Sequence, residues 1–325
     1  MQKIQCLSIS HDKTQLQVFS SRSSELEASI AKSTSILNIN GDFVSFDDEA
    51  EHVGVVRSVN GNLPHLLARF AAYRKARFKI LPIGTAKANR GNPASILNAN
   101  SVYGFPLFFS GVATLALSNP EITILDQHVK LTLQRLQKLR DKTPTCVVMF
   151  LGGQLPGEAL LHQKIFSIFG MILRLENSFI FRIAMYQLTL GTPSVGYWFW
   201  RLKELCLVYN LPSPLSLLLS PPSKLVYKQL VKSKVVDHWE TILREEAEVL
   251  KDKSLKYFRA EFMSLTKPHP LWSTCGTNPY EVHKAVIQAK MLSGRYVTDQ
   301  LTSYQDTGLQ TKLGFAPSQA AQARL

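Results

Sequence analysis

Cysteine is scarce in this chain, with four in 325 residues, Cys6, Cys146, Cys206 and Cys275, all far apart. No C-x-x-C pair occurs, which excludes a disulfide-stapled scaffold and the usual zinc spacings and leads us to expect reduced, mostly buried thiols. No Gly-Lys-Ser/Thr order occurs, so the loop Gly84 to Pro93, with Lys87 and Arg90, is not a P-loop and reads as a connector. Nucleophile elbows are missing as well, which removes the commonest hydrolase signature. No apolar run reaches the roughly twenty residues of a membrane span. The nearest, Val102 to Leu117, is interrupted by Gly104, Pro106, Ser110 and Gly111 and predicts buried helix instead. The start is polar and lacks a charged-then-apolar leader, so an intracellular setting, nucleus or cytoplasm, is expected. Acidic residues are also few, 24 against 37 Lys and Arg, for a net charge of +13.

That excess favours an anionic partner, with nucleic acid the commonest. It is clustered. Arg69, Arg74, Lys75, Arg77 and Lys79 fall in one short window; Lys130, Arg135, Lys138, Arg140 and Lys142 form a second set, and Lys224, Lys228, Lys232 and Lys234 a third.

The first sixty residues are strand-like. Alternation through Lys13, Thr14, Leu16 and Val18 has the period of a half-buried strand. Ile36 to Ile39, then Asn40-Gly41, then Phe43 to Phe46 predicts an antiparallel hairpin on a type I′ turn. His52 to Val56 reads as one further strand. The period then becomes helical. Leu63 to Leu81 carries apolar residues at 63, 66, 67, 70, 78 and 81, with Arg69, Arg74, Lys75 and Arg77 largely off that stripe. Ser118-Asn119-Pro120 starts an amphipathic helix ended near Thr143-Pro144, with His128 on its apolar side as a hydrogen-bonded core or boundary residue. Cys146 to Leu151 starts another, and helices follow from Pro156, Phe179, Val195 and Ser223. The Ser223 helix is basic first and acidic second, against the helix macrodipole, and Lys228, Lys232 and Lys234 could form a nucleic-acid face. Lys267 to Trp272, with two prolines, is expected to be extended, and Asn278-Pro279 opens the last helix. Residues 305–325 are polar and rich in small residues, a disordered composition.

The order of KTQLQVF, EHVGV, LNANSVYG, LDQHVKLTLQRLQKLRDK, KQLVKSKVVDHWE, PHPLWSTCGTNPYE and QAKMLSGRY resembles the C-terminal part of LINE-type non-LTR retrotransposon reverse transcriptases. The likeness implies a mostly α fold: a small antiparallel palm-edge and primer-grip segment (1–60), a thumb-like helical domain (61–143), a C-terminal helical region (144–300) and a tail (301–325). It further implies contact with RNA or an RNA–DNA duplex through Lys13, Thr14, the hairpin residues His52, Val53, Gly54 and Val55, and the cations Arg69, Arg74, Lys75 and Arg77. Two Mg2+ ions would be expected only in full-length relatives, where catalytic aspartates precede the Lys-Thr strand. Eleven residues precede Asp12 here, leaving no room for that motif, and Asp47-Asp48 reads as a solvated acidic turn. We therefore expect no polymerase activity, no cofactor and no small-molecule substrate. The alternative is a helical adaptor in which Trp198, Phe199, Trp200 and the leucine-rich stretch 211–222 contact another protein.

Overall fold

A computed structural model describes residues 15–16, 38–39, 42–43, 45–46, 49–52, 55–58, 61–84, 91–176, 178–190, 198–251 and 255–294. These residues are mostly helical, as the periodicity predicts. Lys13, Thr14, Asp47, Asp48, Val53, Gly54, Lys87, Arg90 and residues 295–325 lie outside the described residues.

Among the described residues, six short strands precede the helices. β1 (Gln15–Leu16) pairs with β4 (Ser45–Phe46), β2 (Asn38–Ile39) with β3 (Asp42–Phe43), and β5 (Glu49–His52) with β6 (Val55–Ser58). Ile39 stands opposite Asp42, the register that a two-residue Asn40-Gly41 loop requires. The β1–β4 pair is parallel, which corrects the all-antiparallel expectation. A long connection joins the two, as parallel pairing needs. The run from His52 to Val56 is divided between two antiparallel strands, with His52 opposite Val55, and is not the single strand expected.

The helices are α1 (Leu63–Gly84), α2 (Pro93–Ala99), α3 (Phe105–Phe108), α4 (Asn119–Leu136), α5 (Thr145–Gly152), α6 (Gly157–Ile172), α7 (Phe179–Leu190), α8 (Trp198–Val208), α9 (Pro214–Leu219), α10 (Lys224–Lys251), α11 (Pro270–Thr274) and α12 (Pro279–Leu292). Residues Asn100–Gly104 make a π-turn between α2 and α3, so the Val102 to Leu117 stretch is a broken series of short helical pieces. No helix among the described residues is long and apolar enough to cross a membrane.

Local signals set most helix ends. Glu121 accepts from the Ser118 backbone N–H at 2.7 Å and the Ser118 hydroxyl at 2.8 Å, closing the start of α4, and also from the Asn62 N–H at 3.2 Å ahead of α1. One carboxylate therefore ties two helix N-termini together. Asn278 caps α12 by accepting from Tyr280 N–H, as its sequence predicts. α4 stops at Leu136, short of the expected end near Thr143-Pro144, because Lys138 adopts a left-handed φ of 56° and turns the chain. Pro270 begins the short helix α11, so Lys267 to Trp272 is not extended throughout: His269 accepts from Leu271 N–H and proline occupies a first-turn position where no N–H is needed.

One apolar core runs from Leu66 to Ala289 and is continuous across position 143. α5 is buried along its whole length, so its N-terminal N–H groups need protein partners. Glu246 of α10 supplies them, accepting from Thr145 and Cys146 N–H at 3.1 and 3.2 Å. Gln137 bridges further elements, donating to the Val148 carbonyl at 2.9 Å and accepting from the Trp272 indole at 3.3 Å. Cys146, Cys206 and Cys275 are buried free thiols, and burial pushes the first two up to about 12, which keeps them protonated and unreactive.

The core also holds neutral histidines. The Tyr209 hydroxyl is hydrogen-bonded to His162 Nδ1 at 2.7 Å and accepts from the Trp239 indole at 2.9 Å, and burial drives His162 down to about 3. His65, His128, His238 and His269 are lowered for the same reason. In each case the unfolded chain takes up the proton first, so stability is full above the ordinary histidine value and is lost as pH falls below it. Burial raises the carboxyls of Asp126, Glu158 and Glu246, which act oppositely but only nearer the carboxylate range. Thermal unfolding should therefore move to lower temperature between pH 7.5 and 5.5, each fully titrating histidine contributing up to about 1.4 kcal/mol per pH unit. A Tm that is flat or rises over that interval would contradict this core chemistry.

Candidate nucleic-acid interface

Helix geometry divides the α1 cations. Leu66, Phe70 and Tyr73 form its buried line, at 0%, 6% and 1% exposure, whereas Leu63, Leu67 and Phe78 are exposed. The apolar stripe read from the sequence thus mixed two faces, and its true members are spaced i, i+4, i+7 with Tyr73 included. Arg77 follows Tyr73 by one turn and is half-buried, with its Nε shielded from solvent. Arg74 is exposed beside that line, and Lys75, about 100° further round, is exposed on the far side. The cations are therefore not uniformly off the packed face.

The packed line meets α4 at His128. Its imidazole stacks on Phe70 with centroids 4.2 Å apart and planes 5° from parallel, with Tyr73 at its edge. His128 is a boundary residue as expected, but its Nε2 has no hydrogen-bond partner among the described residues. Burial, then the positive charges of Arg74, Arg77 and Arg135, hold its pKa down to about 4. A neutral ring at physiological pH spares the cluster a fourth positive charge. Beneath it the Tyr73 hydroxyl donates to Asn100 Oδ1 at 2.5 Å, anchoring α1 to the π-turn. None of Arg74, Arg77 and Arg135 has a salt bridge to a carboxylate among the described residues. Guanidiniums that act on one neutral ring and have no carboxylate salt bridge are suited to phosphate, which each can bind with paired N–H donors.

The β5–β6 hairpin is docked at the other end of α1. His65 is fully buried, accepts from Val56 N–H at its Nδ1 (3.1 Å) and contacts the Ser110 carbonyl through Nε2 (3.1 Å). Those two partners require the neutral ring with its proton on Nε2. Gly111 closes the joint: at φ +74° it lies so near Val55 that a Cβ would sit 2.7 Å from the valine methyl. His65→Leu should release the hairpin at a cost of about 1–3 kcal/mol, because Val56 N–H and Ser110 C=O are left unpaired together. Faster amide exchange confined to β5 and β6 would show it, and unchanged protection there would refute the joint.

Of the residues expected to form one site, Arg74 and Arg77 come together, and Arg135 joins them from what the sequence presents as a separate basic set. Arg69 lies between them and the hairpin, acting electrostatically on His65. Val55 is at the hairpin joint, the backbone of His52 is paired with it, and Lys13, Thr14, Val53 and Gly54 are outside the described residues. His65 is the residue that sequence reasoning missed, since it belongs to no local motif and folding alone brings Ser110 to it. From His65 to Arg77 the helix rises about 18 Å, so hairpin and arginine cluster are two ends of one face rather than one pocket. Among the described residues no group of three or more His, Cys, Asp or Glu side chains could hold a metal ion. No protein-family model matches the chain, and neither a curated protein nor a solved structure is similar to it.

Proposed function

We propose that this chain binds the phosphate backbone of RNA or an RNA–DNA duplex, as the palm-edge and thumb part of a LINE-type reverse transcriptase. The observation that carries the reading is the stack of His128 of α4 on Phe70 of α1, which sets Arg135 on one helix and Arg74 and Arg77 on the other, all three acting electrostatically on one neutral ring and none in a carboxylate salt bridge among the described residues. A net charge of +13 favours attraction to a polyanion, and this cluster supports the reading as a candidate contact. Contacts of this type position a backbone and carry no base preference. Anisotropy of a fluorescent RNA–DNA duplex should report binding that weakens with salt and is indifferent to sequence. Absence of binding at low salt would refute the reading, and template-dependent extension of a primer with Mg2+ would contradict the expectation that these residues alone do not polymerise.

The adaptor alternative has one favourable observation. A depression of about 250 Å³ is lined by Ile168, Ile172, Ile180, Ile183, Trp198 and Phe199, so two of the three adjacent aromatics do reach a surface recess. A partner retained after nuclease treatment and released by Trp198→Ala would favour it.

A further inference from the structure

A second basic feature lies away from the arginine cluster, between the π-turn, α6 and α10. It is a cleft of about 510 Å³ whose lining includes Lys164, Arg174, Lys224, Lys228 and Lys232 and no Asp or Glu. All five cations are exposed, and none has a salt bridge to a carboxylate among the described residues. Lys224, Lys228 and Lys232 recur every four residues, so they stand on one side of α10 at intervals of about 6 Å. Lys164 and Arg174 face them from α6 and the turn that follows it.

This arrangement works against the helix that carries it. Like charges at i, i+4 repel, and cations near a helix N-terminus oppose its dipole. The first turn of α10 holds no acid to offset them. The acidic half of the same helix is accounted for by packing: Glu246 caps α5, and Glu240 accepts from the Ser264 hydroxyl, Leu265 N–H and Arg244. The basic half has no such structural task among the described residues.

The floor is closely packed. Gly170 lets α6 approach α10 so closely that a Cβ would meet the Tyr227 ring at 2.6 Å, and the Tyr227 hydroxyl donates to the Phe166 carbonyl at 3.0 Å. Phe105, Phe109, Phe166 and Tyr227 are at least nine-tenths buried and give an apolar base rather than exposed stacking faces. On the rim, Ser101 of the π-turn donates to Gln154 at 3.0 Å, and Gln163 and Ser167 add further polar groups. π-turns of this kind interrupt a helix to reshape a surface, often at functional sites.

We propose that this cleft holds a single-stranded stretch of nucleic acid. Phosphates would lie along the α10 lysine row and on Lys164 and Arg174, with the amides and hydroxyls of the rim meeting base edges. A cation-lined groove of about 510 Å³ with an apolar floor suits one strand. The proposal rests on the nucleic-acid reading above but assigns a different surface and a different strand state.

Anisotropy titrations of the full chain would use a fluorescent twelve-nucleotide oligouridine and a blunt RNA–DNA duplex. Lys224→Gln/Lys228→Gln/Lys232→Gln should weaken single-strand binding at least tenfold near 100 mM salt and lower its log–log salt slope by about 2, from roughly 0.7 per neutralised phosphate. Blunt-duplex binding should change less than twofold. Melting temperature should stay within about 2 °C or rise, since exposed repelling charges are removed. Unchanged oligouridine affinity in the triple variant would overturn the proposal. So would lysine-dependent binding to phosphatidylserine vesicles with none to oligouridine. Failure of the wild-type chain to bind the duplex while it still binds oligouridine would sink the duplex reading and leave the cleft standing.

Discussion

Gly153→Ala is expected to abolish the native fold. Gly153 ends α5 at φ +59°, where an L side chain costs about 1–2 kcal/mol by itself. The larger cost is steric: a Cβ there would lie 2.1 Å from the Lys267 carbonyl carbon, 2.2 Å from its oxygen and 2.4 Å from Pro268 N. These are backbone atoms that cannot rotate away. The segment is held by His269 N–H donating to the Leu151 carbonyl at 3.0 Å, and a little further on Trp272 is fully buried. Relieving the clash means lifting α11 and exposing that indole, a change on the scale of about 3–5 kcal/mol for a large core aromatic. Together these approach the whole stability of an ordinary domain, about 5–15 kcal/mol. Gly276→Ala is the matched control, since Gly276 has φ +58° and nothing within 4 Å of its Cβ position. It should lose only the backbone share. Urea unfolding of both variants decides the matter, and equal losses would show that the close approach of Lys267 is unimportant.

The second large effect is on affinity. Arg74→Ala/Arg77→Ala/Arg135→Ala should weaken duplex binding by one to two orders of magnitude at moderate salt and lower the salt slope by about 0.9 for each phosphate no longer neutralised. Lys75→Ala alone should do little, because Lys75 points away from the cluster. Isothermal or anisotropy titration at several salt concentrations separates the two. A weakening in Lys75→Ala equal to that of the triple variant would mean that general basicity, not this cluster, attracts the ligand. His128→Phe is informative beside them: it keeps a ring against Phe70 and should preserve binding, since the imidazole is already uncharged.

Helix existence was legible in the sequence wherever the signal is local. Ser118-Asn119-Pro120 and Asn278-Pro279 state their own caps, and the leucines of 214–219 sit between prolines that bound a short helix. Faces were harder. α1 has more apolar residues than it has core to cover, so Leu63, Leu67 and Phe78 stay exposed while Tyr73 and His65 go inside. Interactions distant in the chain were not legible at all. Gly153 meets Lys267, Arg135 reaches the cluster of Arg74 and Arg77, and Glu246 caps α5, each through packing that no single segment encodes. The cleft was half visible: Lys228 and Lys232 were marked by their conflict with the helix dipole, whereas Lys164 and Arg174 carry no sequence signal. Lys234, read with them, does not line it.

The most direct measurement of backbone binding at the arginine cluster is a charge-matched comparison on one RNA–DNA duplex. Arg74→Ala/Arg77→Ala/Arg135→Ala would be titrated against Lys142→Ala/Lys256→Ala/Lys284→Ala, three exposed cations elsewhere, across a range of salt. The expected result is at least tenfold weaker binding with a flatter salt dependence for the arginine variant, and less than about threefold for the lysine variant. Equal weakening in the two variants, or no binding by the unmodified chain at low salt, would contradict it.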